Sequence, residues 1–409
     1  MPVIDLSALF LKGLGAAQTA PLGLAVSGGG DSMAMLYLAH QSGLLFQVAT
    51  VDHGLREGAA AEARMVADVC ARLGVLHQTL EWRGWDGQGN IQDTARRARR
   101  KLLADWAAQK SLRHIALAHT ADALAEGLLM RLARGAGLDG LAAMQPTWPE
   151  AGVAWHRPLL GATRQTLREY LVASGGVWAD DPSNDSDRFE RVRVRKALRV
   201  LATLGINASK LAEVSSHLRD ARAALDAVTD MASTLFVPHR GTVRFAIAEF
   251  AAQPTEIQRR LLQRVLMWIS PGDYGPRGGA LQRLRLSLVG HQSATLAGCR
   301  FVVKNDVVLV FRELKATGAP VAQNMLWDGR WRIEGPIVDG ATIGALTALG
   351  LAQIPDWRAS GVARAALLSS PALWVGPRLI AAPCADFGAE WSANAYPGPQ
   401  GLNSCTLSH

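Results

Sequence analysis

Residues 22–32 read Leu22-Gly23-Leu24-Ala25-Val26-Ser27-Gly28-Gly29-Gly30-Asp31-Ser32. An apolar run, Leu22 to Val26, stops at a glycine loop, and Met33 to His40 beyond it has helical composition. Strand, glycine loop and helix in that order form an anion seat. Glycines let the backbone turn sharply and approach a ligand closely. The first amides of the helix point at that ligand, and the helix dipole favours its negative charge. Ser27 and Ser32 add hydroxyl donors. Asp31 is the odd member, because a carboxylate beside phosphates repels them unless a cation intervenes. Its expected task is to hold Mg²⁺ on the phosphates. A ligand-free glycine turn is the bland alternative, and three glycines between two serines argue against it.

Working outward, Phe46–Val51, Val75–Trp82 and Arg113–Ala118 are further strand candidates. Ala59–Leu73, Ile91–Gln109 and Ala121–Ala133 are helix candidates. Strands alternating with helices predict an α/β fold, a parallel sheet covered by helices on both faces. Ligands of such sheets sit beyond the carboxyl ends of the strands. After about residue 204 the pattern changes. Ala208–Leu235, Pro254–Ile269 and Gly279–Leu288 have helical patterning, and short strands cluster at Ala294–Val303 and Val307–Arg312. Three domains are expected: 1–204 as the phosphate-binding catalytic domain, 205–315 as a mainly helical domain, and 316–409 as a small α+β module.

The chain has 409 residues, 49% of them hydrophobic, enough for such cores. No run of 18 or more apolar residues occurs, which excludes a membrane-spanning helix, and Met1 to Gly15 has no basic leader of a secretory signal. The four cysteines, Cys70, Cys299, Cys384 and Cys405, are scattered without C-x-x-C or metal spacing. That pattern predicts a reduced, cytoplasmic setting. The net charge of +8 suits a polyanionic partner, RNA or DNA first. An arginine-rich proteome explains it equally well.

Other constellations lie where strand ends are expected. Asp52-His53-Gly54-Leu55-Arg56 closes the second strand, and His119-Thr120-Ala121-Asp122 follows the fourth. Glu126 stands four residues after Asp122, so the two carboxylates share a helix face. Glu126 is open between a helix salt bridge and a site role. Trp178-Ala179-Asp180-Asp181-Pro182-Ser183-Asn184-Asp185 precedes a basic stretch with Arg188, Arg191, Arg193, Arg195, Lys196 and Arg199. The glycine loop carries no lysine, so cations for phosphates must come from elsewhere. Arg191 and Arg195 lie one turn apart and are candidates to converge on one anion. Gly89-Asn90-Ile91-Gln92 opens the helix with Arg96, Arg97, Arg99, Arg100 and Lys101, either an RNA-facing surface or a solvated one.

The loop lacks the Gly-Lys-Ser/Thr of a Walker A sequence. It resembles the PP-loop of enzymes that split ATP into AMP and pyrophosphate. Taken with Val51–Arg56, Asn90–Arg100, His119–Met144 and Asp181–Arg195, it resembles the tRNA(Ile)-lysidine synthetase family, firmly over about residues 20–200. The resemblance implies a Rossmann-like PP-loop fold. It also implies adenylation by ATP of the C2 oxygen of the wobble cytidine in the CAU-anticodon tRNA(Ile). The ε-amine of L-lysine then displaces AMP. Carried onto this chain, it places ATP on Ser27, Gly28, Gly29, Gly30, Asp31, Ser32, His53 and His119, with Mg²⁺ on Asp31 and Asp122. Asp31, Asp122, Arg191 and Arg195 are the catalytic candidates, and residues 205–409 would bind the rest of the tRNA. The oligomeric state stays open, a homodimer being one option.

One departure stands out. The family commonly shows His-x-x-Asp-Asp-Gln-x-Glu-Thr, and here Ala123, Leu124 and Gly127 replace the second Asp, the Gln and the Thr. A tRNA thiolase of the same superfamily is disfavoured by the scattered cysteines. A tRNA-binding protein with a degenerate site is kept open by Ala123.

Overall fold

The computed structural model describes residues 5–54, 58–84, 91–142, 144–180, 190–272, 275–276, 278–396 and 402. The chain divides into two compact units, Met1–Arg222 and Ala223–His409.

The first unit is built on six strands: β1 (Leu22–Ala25), β2 (Phe46–Asp52), β3 (His77–Glu81), β4 (His114–Leu117), β5 (Thr147–Glu150) and β6 (Val153–His156). Their order is β3-β2-β1-β4-β6-β5. All neighbours are parallel except β5, which runs antiparallel to β6 at the edge. The order reverses at β1, whose two neighbours are β2 and β4, so the glycine loop leaves the sheet at the switch point where such folds open a ligand crevice.

The helices of this unit are α1 (Leu6–Leu14), α2 (Gly30–Gln41), α3 (Ala59–Arg72), α4 (Ile91–Gln109), α5 (Ala121–Ala133), α6 (Leu138–Leu141), α7 (Arg164–Ala173), α8 (Glu190–Ala202) and the first part of the long α9 (Ala208–Ala232), whose residues from Ala223 on belong to the second unit. Side chains alternate across β1, as the two-residue period of a strand requires. Leu22, Leu24 and Val26 enter a core with Phe10, Met33, Leu36, Val66 and Leu167. Ala25 enters a second core with Ala49, Leu103, Trp106, Ile115 and Trp155. Gly23 permits that second layer: a Cβ there would lie 2.7 Å from Cζ3 of Trp106. The α/β expectation therefore holds, with apolar layers on both faces.

Three elements of this unit have weak sequence signals. α1 was not expected. β5 carries Pro149, which usually argues against a strand and is tolerated here because β5 is an edge. α7 buries only Leu167 and Leu171, too few anchors for a clear helical period.

The second unit holds α10 (Ile247–Ala251), α11 (Thr255–Ile269) and α12 (Gly278–Val289), with an antiparallel sheet ordered β7-β8-β11-β10-β9. Its strands are β7 (Val237–His239), β8 (Thr242–Ala246), β9 (Ala294–Leu296), β10 (Cys299–Lys304) and β11 (Val307–Arg312). Leu261, Val265 and Trp268 of α11 share its core with Phe245, Phe301 and Val310. A separate core around Trp327, Ile343 and Leu373 lies under the strands beyond residue 320. These are β12 (Val321–Ala322), β13 (Trp331–Glu334), β14 (Thr342–Ala345), β15 (Pro371–Val375), β16 (Arg378–Ala381) and β17 (Ser392–Ala395).

The β7–β8 hairpin inside the stretch read as mainly helical was missed. Arg240 and Gly241 form its two-residue turn, with φ of 46° and 81°. Such turns are normally announced by Asn-Gly or Asp-Gly, and an arginine in the left-handed region hides the signal. Asn305 and Asp306 make the corresponding turn between β10 and β11, φ 48° and 59°, and that hairpin was legible. Among the described residues no helix is long and apolar enough to cross a membrane.

Candidate active site

The glycine loop closes on itself before it meets any ligand. Ser32 donates its hydroxyl to Gly29 O (2.8 Å) and accepts from Ser27 N (3.1 Å), and the two serine hydroxyls lie 3.3 Å apart. Gly28 has φ 90°, a conformation costly for any other residue, and a Cβ there would lie 3.3 Å from Met65 Cε and 3.4 Å from Glu62 Cβ. Gly29 caps α2 without a side-chain acceptor, leaving the opening amides of that helix to an incoming anion. The stretch after α7 braces the loop from outside. Ala179 N donates to Gly28 O (2.9 Å), and the Trp178 ring lies against Gly30.

Asp31, in the first turn of α2, faces α5 and α7. Arg164 Nε lies 3.4 Å from Asp31 Oδ2, and the Arg164 amide donates to Asp122 Oδ2 at 2.8 Å. The Arg164 Nη1 donates to Glu126 Oε1 at 2.7 Å, and Arg195 Nε of α8 donates to the same oxygen at 2.8 Å. Burial raises the Asp31 carboxyl above its ordinary value; Arg164 offsets part of that and the Asp122 charge adds to it. Burial works against the Arg164 charge, but Glu126, Asp31 and Asp122 outweigh it and raise its pKa. The structure thus brings Asp31, Asp122, Glu126 and Arg195 into one network. The charge of Arg191, on the same helix, bears on His119.

His119 stands at the carboxyl end of β4, and its Nδ1 accepts from Arg157 Nε at 3.2 Å. Burial and the charges of Arg157, Arg99, Arg96 and Arg191 push its pKa down to about 3, so the ring is neutral at physiological pH. His53 ends up at the carboxyl end of β2, on the other side of β1 from β4, edge-on to Trp82 with ring centroids 5.9 Å apart. Arg56, Asn90 and the run Asp181–Asp185 with Arg188 lie outside the described residues.

Residues 5–201 match the PP-loop domain family. Over 394 residues, 95% of this chain and 94% of the relative, the sequence is 46% identical to a tRNA(Ile)-lysidine synthase of Ruegeria pomeroyi. The chain belongs to the tRNA(Ile)-lysidine synthase family. A tRNA(Ile)-lysidine synthase of Zymomonas mobilis is 37% identical over 73% of this chain and 90% of its own length. Among solved structures, the U34-tRNA thiolase NcsA from Methanococcus maripaludis overlaps with a TM-score of 0.47 and 16% identity, over 53% of this chain and 78% of that one.

In this member of the tRNA(Ile)-lysidine synthase family, sequence reading missed Arg164, Arg157 and Arg168. Arg164 left one signal. It is the first residue of a helix capped by Thr163, and a cation there opposes the helix dipole unless carboxylates compensate it. Arg168, one turn on, pairs with Asp180 at 2.8 Å. Asp122, Arg164, Arg168, Glu169 and Trp178 line an open cavity of about 850 Å³ beside the loop. It is roomy enough for a nucleotide-sized ligand.

Proposed function

We propose that this chain makes lysidine in two steps. The C2 oxygen of the wobble cytidine in CAU-anticodon tRNA(Ile) attacks the α-phosphorus of ATP, and pyrophosphate leaves. The ε-amine of L-lysine then attacks C2, the C2–O bond breaks, and AMP departs with the oxygen. Activation is required because a carbonyl oxygen is a poor leaving group and AMP is a good one. The lysine must arrive as the free amine, losing its proton to a nearby acceptor or to water. The observation that carries the reading is the near full-length similarity to a tRNA(Ile)-lysidine synthase. The loop geometry supports it, being suited to phosphates.

Each residue has a part that its position supports. Ser27 to Ser32 grip the β- and γ-phosphates through amides and hydroxyls. His53 and His119 flank the nucleotide at the ends of β2 and β4, the strands on either side of β1, His119 as a neutral acceptor. Arg164 and Arg195 hold Glu126 and stand ready to face charge developing on the phosphates, and Arg191 adds to the positive field. Asp31 and Asp122 would hold Mg²⁺. No group of three or more metal-binding side chains occurs among the described residues, but Mg²⁺ typically uses only one or two carboxylates plus substrate phosphates. The burial that disfavours charge on Asp31 fits a carboxyl that awaits a cation. Bound there, the ion would neutralise the leaving pyrophosphate.

Residues 205–315 and 316–409 are assigned to the body of the tRNA, and residues 1–204 to catalysis. The cytoplasm is the proposed compartment. Cys70, Cys299 and Cys384 are buried free thiols, as expected where disulfides are rare. The deciding experiment is mass spectrometry of the wobble nucleoside after incubation with tRNA, ATP and lysine. Lysidine with lysine-dependent AMP release supports the reaction. Tight tRNA binding with no product would instead favour a degenerate site, the reading that Ala123 motivates.

A further inference from the structure

Arg164 is held at two places that do not depend on each other. Its backbone is fixed: the amide donates to Asp122 Oδ2 at 2.8 Å, and the Thr163 hydroxyl before it accepts from the Thr166 amide at 3.2 Å. Ala162 O accepts from the Ala121 amide at 2.9 Å, which docks this end of α7 on α5. None of these bonds uses the guanidinium. The side chain lies instead between two carboxylates, with Nε 3.4 Å from Asp31 Oδ2 and Nη1 2.7 Å from Glu126 Oε1. Arg195 donates to that same Glu126 oxygen at 2.8 Å, so Glu126 keeps a cation if Arg164 leaves.

The guanidinium also has somewhere to go. Arg164 lines the 850 Å³ cavity together with Arg168 and Trp178, and its side chain is 30% exposed where that of Glu126 is 4% exposed. Trp178 is both a wall of the cavity and the ring against Gly30, so the cavity opens next to the phosphate loop. Charge counting gives the direction of movement. Asp31, Asp122 and Glu126 face two guanidinium groups, which leaves one negative charge in excess. A divalent cation on Asp31 and Asp122 turns that into one positive charge in excess, and places it beside a guanidinium that it repels. Moving Arg164 out toward the phosphates restores the balance.

We propose that Arg164 is a resident counter-ion: in the free chain its guanidinium fills the cation position between Asp31 and Glu126, and the divalent cation that accompanies ATP displaces it into the adjoining cavity. Arg164 is thus a positioning residue. It keeps the buried carboxylates paired until the cation arrives, and its fork is then free for phosphate oxygens. Arg195 and the Arg164 amide hold Glu126 and Asp122 in place during the exchange. The proposal rests on the reading above in which Asp31 and Asp122 hold Mg²⁺.

The test uses the full chain, Mn²⁺ as the probe cation, and ATP without tRNA. Urea unfolding of the parent, Arg164→Gln, Glu126→Gln and the double variant measures the coupling between the two side chains. In the free chain the unfolding constants should be non-additive by roughly tenfold, and with saturating Mn²⁺ and ATP by about twofold or less. With ATP and EDTA the coupling should persist. Coupling unchanged by Mn²⁺ and ATP, or lost with ATP and EDTA alone, overturns the exchange. Mn²⁺ binding without ATP, read from the EPR signal of the free ion, needs only one substitution and stands even where Glu126→Gln weakens the fold. Arg164→Gln should bind Mn²⁺ roughly tenfold more tightly than the parent, because the competing cation is gone. Arg168→Gln removes the same charge one turn on, from a guanidinium paired with exposed Asp180, and should gain less than about threefold. An equal gain in both, or no gain in Arg164→Gln, overturns the exchange. A parent chain that takes up no Mn²⁺ even with ATP overturns it together with the cation reading of Asp31 and Asp122. Mn²⁺ bound with the coupling unchanged overturns the exchange and leaves that reading standing.

Discussion

Arg164 of α7 meets Glu126 of α5 at 2.7 Å, through a carboxylate side chain only 4% exposed. Arg195 reaches the same oxygen from α8. One buried carboxylate thus ties together three helices, and Arg164 extends the tie to Asp31 and Asp122.

Glu126→Gln should therefore act on fold and chemistry together. It leaves two part-buried arginines without their shared anion, and breaking such a pair from one side costs about 3 kcal/mol. The melting temperature should drop by several degrees and lysidine formation should collapse. Glu126→Gln combined with Arg195→Gln should recover part of the stability and none of the activity. If the double variant is no more stable than Glu126→Gln, the network is not coupled as the distances imply.

Asp31 separates stability from function in the opposite direction. Its folded pKa is raised, so the native state holds the proton more tightly than the unfolded chain. Stability from this group is present below the unfolded carboxylate value and is lost as pH rises through the folded one. At pH 7.5 Asp31→Asn should then melt roughly a degree or more above the parent. It should also abolish ATP–pyrophosphate exchange. Retained exchange removes Asp31 from the mechanism.

Much of this site was legible because its chemistry sits on short local motifs. The loop at Ser27–Ser32, the β4–α5 junction at His119–Asp122 and the arginines of α8 announce themselves by residue type and spacing. α4 and α5 match their expected bounds, Ile91–Gln109 and Ala121–Ala133. Arg164 and Arg157 did not announce themselves. Each acts through partners about forty positions away, Glu126 and His119, and such pairings come from sheet order rather than local pattern. Arg191 and Arg195, one turn apart, were expected to converge on one anion. Arg195 is held on Glu126, and the charge of Arg191 bears on His119.

Ala123 offers a gain-of-function test. It is the third residue of α5, its amide donates to the Thr120 hydroxyl at 3.3 Å, and its side chain is half-exposed. An aspartate there suits the helix dipole, so Ala123→Asp should fold at least as well. If the missing acid limits the reaction, turnover should rise several-fold with little change in ATP affinity. An unchanged or lower rate shows that the site is complete without it.

His119 fixes the expected acid limb. Its folded pKa is about 3, far below the roughly 6.5 of an unfolded histidine, because burial and surrounding arginines oppose its charge. Below pH 6.5 the unfolded chain binds a proton that the native site refuses. Stability should consequently fall as pH drops from about 6.5 toward 3, by up to about 1.4 kcal/mol per pH unit for this one proton. His156, whose pKa is lowered to about 4 by burial and by His114, adds a second proton over most of that window. His119→Gln should remove one proton's worth of that slope in urea titrations between pH 6.5 and 4.5, and His156→Gln should remove the other. Because His119 stays neutral from pH 5 to 9, the pH profile of ATP–pyrophosphate exchange should show no inflection assignable to it. An inflection near pH 6.5 that disappears in His119→Gln would mean the ring is charged in the working enzyme, and would displace it from its role as a neutral acceptor for Arg157.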